Sequence, residues 1–238
     1  MLRMILASIV CCAIVVPTLA QDDEQLSRKC YENSSPDQTI EACSRVIASG
    51  HVDAKDLATA FKNRGNAYDD KDRYGLAIQD YDHAIAINPN DAEAFNNRGT
   101  SFRAQGQYDL AIQDYDKAIK LRPDNAKALS NRCFAKALTD QLESGLADCN
   151  ESLRLRPGDA NTLASRGFAN LKLKRYEAAI ADYGAELRIN PGNPYTLFGQ
   201  GVAKRMGGNQ TGGDADIAAA KAIKPDIADE MAKLGVQL

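Results

Sequence analysis

The six cysteines and two histidines are the side chains best suited to nucleophilic, redox or metal chemistry in this chain of 238 residues. His51 and His83 stand far apart, and neither has a ligand or a nucleophile at the spacing a metal or catalytic site needs. No phosphate-cradling glycine loop and no nucleophile elbow occurs. The sequence therefore offers no catalytic residue, no metal site and no cofactor, and it reads as non-enzymatic. Cys11 and Cys12 fall in an apolar leader, which leaves Cys30, Cys43, Cys133 and Cys149. In an oxidising compartment an even number of cysteines points to disulfides. Four cysteines allow three pairings, and free thiols acting as small apolar residues are the alternative. Charge supplies a second pattern: Arg64, Arg98, Arg132 and Arg166 each lie 16 residues before Asp80, Asp114, Asp148 and Asp182. Guanidinium–carboxylate pairs at that spacing can bridge helices. As exposed pairs they would add at most about 1 kcal/mol each and serve to set register.

These residues must be positioned by something periodic. Pro89, Pro123, Pro157, Pro191 and Pro225 are spaced 34 residues apart, the mark of a solenoid built from one repeated unit. Within the copy that opens at Asp91, Ala94, Phe95, Arg98, Gly99 and Phe102 recur at helical spacing. Gln105-Gly106-Gln107 then breaks the pattern, and Leu110, Ala111, Tyr115, Ala118, Ile119 and Leu121 form a second stripe. Asp91, Asn125, Asp159 and Asn193 sit two residues after a proline, where a side-chain oxygen caps the next helix. Each proline lacks the donor that a continuing helix would need. Two short amphipathic helices cannot bury their apolar faces alone, so stacking of neighbouring copies must do it.

The aligned copies resemble the tetratricopeptide repeat (TPR) family. The large residue of the first helix is Phe61, Phe95, Leu129, Leu163 and Leu197, and the small residue four places on is Gly65, Gly99, Cys133, Gly167 and Gly201. In the second helix Ala77, Ala111, Gly145, Ala179 and Gly213 face bulky Tyr81, Tyr115, Cys149, Tyr183 and Ile217. The resemblance implies an all-α fold, a right-handed superhelical solenoid of antiparallel helix pairs. In this register Cys30–Cys43 and Cys133–Cys149 would each join the two helices of one repeat. Cys133 and Cys149 replace the small and bulky partners of the other copies, and so should face each other.

The chain then divides as follows. MLRMILASIVCCAIVVPTLA, residues 1–20, has a basic start, an apolar run and a small-residue end, and reads as a cleaved signal peptide. The run is shorter than the roughly 20 residues that span a bilayer, so no stable membrane insertion is expected after cleavage. Residues 21–57 read as an irregular helix pair. Five copies follow at 58–91, 92–125, 126–159, 160–193 and 194–227, and residues 228–238 as a cap helix. Gly207, Gly208, Gly212 and Gly213 degrade the fifth copy and should loosen its turn. The signal and the alanine-rich body have a bacterial character, giving a periplasmic or secreted location.

A net charge of −3 without a long basic run argues against nucleic acid. By resemblance, the first helices line a concave groove that holds extended peptides or a partner's helix. Its slots here include Lys62, Asn66, Asn97, Arg103, Lys127, Asn131, Phe134 and Phe168. Leu171 and Lys172 extend the strip, which turns apolar toward its C-terminal end. Relatives that grip the C-terminal carboxylate of heat-shock chaperones use a five-residue clamp. Lys62, Asn66, Asn97 and Lys127 match four of its slots, with Asn131 where the clamp has a basic residue. An exported protein would meet a different ligand. The resemblance thus implies a non-catalytic scaffold binding an unidentified protein or peptide partner. The alternatives are a permanent subunit or homo-oligomer, and an auxiliary component of an enzyme such as a glycosyltransferase.

Overall fold

The computed structural model describes residues 28–32 and 34–237, so the signal-peptide reading of residues 1–20 lies outside the described residues. Of the first helix of the irregular pair expected over 21–57, residues 28–31 are described as helical and residue 32 as a bend. The helices that follow are α1 (Pro36–Ser49), α2 (Ala54–Asp69), α3 (Tyr74–Ile87), α4 (Ala92–Ala104), α5 (Tyr108–Leu121) and α6 (Ala126–Leu138). After them come α7 (Leu142–Leu155), α8 (Ala160–Lys172), α9 (Tyr176–Leu187), α10 (Pro194–Met206), α11 (Gln210–Ile223) and α12 (Ile227–Lys233). Each packs against its chain neighbours, and the described residues contain no strand. The result is a right-handed superhelical solenoid of antiparallel helix pairs.

Local chemistry fixes both ends of each pair. Asp91 accepts from the Glu93 and Ala94 amides at 2.9 and 3.1 Å, and Asn125, Asp159 and Asn193 cap α6, α8 and α10 in the same way. Asp53 caps α2 by accepting from the Asp56 amide at 2.8 Å, so this helix begins before residue 58. The turn inside each pair uses a left-handed residue at the same place: Asp72, Gly106, Asp140, Lys174 and Gly208 all have φ between 55° and 94°. The next amide reaches back to the carbonyl five residues earlier, as from Arg73 to Tyr68 at 2.8 Å and from Asn209 to Lys204 at 2.8 Å. This is the Schellman stop, and glycine makes it without the Cβ penalty that Lys174 carries.

The expected loosening of the fifth turn does not occur. Gly207 and Gly208 form the turn, while Gly212 and Gly213 lie inside α11. A Cβ on Gly201 would lie 2.7 Å from Ile217 Cγ1 and 2.8 Å from the Gly213 carbonyl oxygen. Paired glycines here let α10 and α11 approach closely, which tightens the copy that looked weakest.

The same logic explains the cystine. A Cβ on Gly65 or Gly99 would lie 2.8 Å from Cε1 of Tyr81 or Tyr115, so the bare glycine is what admits each ring. In the third copy Cys133 and Cys149 take those two slots. Their sulfurs are 2.01 Å apart with Cα atoms at 5.4 Å, and both residues are fully buried. Cys30 and Cys43 form the other bond, at an S–S distance of 2.16 Å, in the first packed cluster with Ala42, Val46 and Ala60.

The arginine ladder is built in full. Arg98 Nε and Nη2 donate to Asp114 at 2.8 and 2.6 Å, and Arg64, Arg132 and Arg166 hold Asp80, Asp148 and Asp182 likewise. The third guanidinium nitrogen reaches back to the preceding copy: to Ser44 from Arg64, Asp82 from Arg98, Asp116 from Arg132 and Asn150 from Arg166. One arginine therefore ties three helices. The four inner aspartates are buried, so the exposed-pair value of about 1 kcal/mol does not apply to them. A buried pair adds little net stability, but removing one partner strands the other. The slot of Tyr68 and Phe102 is Lys136 in the third copy, and its Nζ donates to Asp148 at 2.8 Å. Asn170 does the same to Asp182 at 3.0 Å.

Candidate functional site

The first helix of each pair, α2, α4, α6, α8 and α10, contributes to the concave face. Its polar stretch is a chain of asparagine side chains. Asn131 Nδ2 donates to Asn96 Oδ1 at 3.0 Å, Asn96 Nδ2 to Asn97 Oδ1 at 3.0 Å, and Asn97 Nδ2 to Asn66 Oδ1 at 2.9 Å. Asn66 Oδ1 also accepts from the Tyr81 hydroxyl at 2.8 Å. That hydroxyl meets Asp69 Oδ2 at 2.8 Å as well, and Ser101 donates to Asp69 Oδ1 at 2.7 Å. Burial pushes the Asp69 carboxyl up, against the pull of the Ser101 and Tyr81 donors. The amide oxygens of Asn66, Asn96 and Asn97 each accept from a neighbour, and the amide nitrogens of Asn66 and Asn97 keep hydrogens not given within the chain, while Asn131 Nδ2 spends its second hydrogen on Thr100 Oγ1 at 3.4 Å. The strip accordingly presents donors to whatever lies in the groove.

Lys62, at the N-terminal end, is not free. Its Nζ lies 3.1 Å from Asp91 and 2.8 Å from Glu93, both of the next copy. Desolvation pulls its ammonium down while these two carboxylates push it up, and the net shift is upward. Lys127 is exposed, with no ion pair among the described residues. The structure thus joins Asn66, Asn97 and Asn131 in one network, leaves Lys127 open, and commits Lys62 to its own chain.

Toward the C-terminal end the face becomes aromatic. Phe134 and Phe168 pack with ring centroids 5.7 Å apart, and the Arg103 guanidinium lies 5.6 Å over Phe134. With Asn131 they line a hollow of about 440 Å³. Lys172 instead donates to the Ala137 carbonyl at 3.0 Å and pairs with Asp140 at 2.7 Å, and Leu171 is buried in the core. The lining residues that were not among the sequence-derived slots include Tyr195, Thr196, Met231 and Leu234. Tyr195 lies 34 residues beyond Asn161, a first-helix residue that lines the same hollow, so extending the repeat spacing by one copy finds it. Met231 and Leu234 belong to the cap region, which has no register with the repeats and gives no such signal. His83 stacks on Phe61 at 4.8 Å and is exposed.

Comparison with known proteins agrees with this architecture. Residues 58–91 and 92–125 match the family model for the tetratricopeptide repeat. No curated protein sequence matches the chain. Among solved structures, a tetratricopeptide repeat protein from Parabacteroides merdae is 14% identical with a TM-score of 0.70, covering 90% of this chain and 88% of its own. YrrB, described as a TPR protein with an unusual peptide-binding site, is 19% identical with a TM-score of 0.60, covering 82% of this chain and 99% of its own. MamA from Desulfovibrio magneticus is 16% identical with a TM-score of 0.61, covering 71% and 96%. At these identities the likeness is one of fold. Residues 58–125 are thus two tetratricopeptide repeats, and the same capped hairpins continue through α11.

Proposed function

We propose that this protein is a non-catalytic adaptor that holds an extended segment of a partner protein in its concave groove. The observation that carries this reading is the asparagine chain, in which the amide oxygens of Asn66, Asn96 and Asn97 are already used and the half-buried Asn66 and Asn97 on α2 and α4 keep N–H groups to give. Peptide main chain offers one carbonyl acceptor per residue, which suits such a surface whatever the side chains. The open cation at Lys127 adds attraction for acidic partners at low salt. The peptide-binding site described for the similar YrrB is consistent with a peptide-binding role.

The location that fits is the bacterial cell envelope, as a periplasmic or secreted protein. Two buried disulfides suit an oxidising compartment. No described helix is long and apolar enough to cross a membrane.

A peptide array probed with the purified chain tests the proposal. The double substitution Asn66→Ala/Asn97→Ala should weaken binding to all positive peptides by about tenfold, since two net hydrogen bonds of about 1 kcal/mol each are lost. The loss should be independent of peptide sequence. Unchanged binding across the array would rule out main-chain recognition by these amides.

A further inference from the structure

The hollow at the C-terminal end of the groove has a chemistry of its own. At about 440 Å³ it falls in the range of roughly 300–1,000 Å³ typical of sites that take small ligands. Phe134 and Phe168 wall it on one side, and Met231 and Leu234 wall it on another. No aspartate or glutamate lines it. Arg103 stands at its edge, held over the Phe134 ring, and makes no ion pair among the described residues. Contrast Lys62, a groove cation whose charge is already answered by Asp91 and Glu93. Unanswered positive charge beside apolar walls calls for a ligand that brings a negative charge next to an apolar group.

Resting on the peptide-binding reading above, we infer that this hollow is the specificity pocket of the groove. It receives one phenylalanine- or leucine-sized side chain of the bound segment, while an acidic side chain next to it in sequence pairs with Arg103. The placement favours an internal acidic residue over a chain end. Arg103 is on α4, the helix that also carries Asn96 and Asn97, so the carboxylate falls between the apolar anchor and the main chain held by the amides. A buried aromatic anchor gives both affinity and selectivity, because its ring brings large apolar area at little entropic cost.

The test uses fluorescein-labelled, C-terminally amidated peptides of sequence Gly-Ser-Asp-Phe-Ser-Gly, with Phe→Ala and Asp→Asn counterparts, titrated with the full chain and read by anisotropy. The parent peptide should bind best. Loss of the ring should weaken binding about tenfold or more, from the apolar area left unburied. Loss of the carboxylate should weaken it several-fold, an effect that shrinks as salt rises. On the protein side, Arg103→Gln should abolish the preference for Asp while keeping that for Phe. Ala164→Leu, at a half-buried lining position, fills the hollow and should abolish the preference for Phe. Neither variant removes a core side chain, and thermal melts verify that both fold. Equal affinity of all three peptides for the unaltered protein would overturn the pocket and leave the groove standing. Failure of all three to bind at millimolar protein would overturn both.

Discussion

Raising the pH past the ordinary tyrosine range should unfold this protein steeply, with the buried phenols ionising only as the fold is lost. Burial pushes the hydroxyls of Tyr81, Tyr115 and Tyr183 up, with Asp69 adding to the effect at Tyr81 and Asp182 at Tyr183. A group whose folded pKa is raised contributes stability that is fully present below its unfolded pKa and is lost as pH climbs above it. The window therefore opens at about pH 10, where tyrosine ionises in the unfolded chain. Three phenols that stay protonated in the native state cost about 4 kcal/mol of stability per further pH unit. Set against a stability of about 5–15 kcal/mol for a typical domain, unfolding should follow within about one to four units. The share of the phenolate absorbance at 295 nm that belongs to these three of the nine tyrosines should rise only as helical circular dichroism is lost, and Tyr183→Phe should reduce the slope of stability against pH by about a third. Absorbance that rises fully near pH 10 with the helical signal intact would show that these rings are not enclosed.

Removing the central cystine should be nearly as damaging. Cys133→Ala/Cys149→Ala deletes a cross-link across a separation of 16 residues, worth about 3 kcal/mol by loop entropy. It also empties a slot that a tyrosine ring fills in the neighbouring copies, and the surrounding helices cannot collapse without moving Phe134, which adjoins Cys133 in α6. A total loss of about 3–5 kcal/mol is expected, seen as a lower midpoint in urea with the helical signal of the folded state retained. Cys30→Ala/Cys43→Ala removes a cross-link that closes a shorter loop, 13 residues apart at the end of the stack, and should cost less. A variant of the central pair that unfolds at the same urea concentration as the unaltered chain would mean that the cystine carries no stabilising role.

Most of the scaffold could be read from residue order because its causes are local. Proline spacing, Asp and Asn caps and the 3.6-residue stripes each act within one hairpin, and each appears where the residues imply. Facts that depend on neighbouring copies were harder to see. The Arg98–Asp114 spacing was visible, but not that Asp114 would be buried or that Arg98 would also reach Asp82. Lys62 had the slot of a carboxylate-binding cation, and its capture by Asp91 and Glu93 depends on how the next copy stacks. Gly213 looked like part of a loose turn because glycine disfavours helix, yet tight packing against Gly201 and Arg205 outweighs that propensity. Met231 and Leu234 had no repeat register to betray them, so the closed end of the groove came from the structure alone.

Photo-crosslinking would test most directly whether the concave face is where partners lie. A p-benzoylphenylalanine in place of the phenylalanine of the Asp-Phe peptide, irradiated with the full chain and mapped by mass spectrometry, should label α6, α8 and α12 around Phe134, Phe168 and Met231. Adducts confined to α3, α5 and α7, on the opposite side of the stack, would contradict the account.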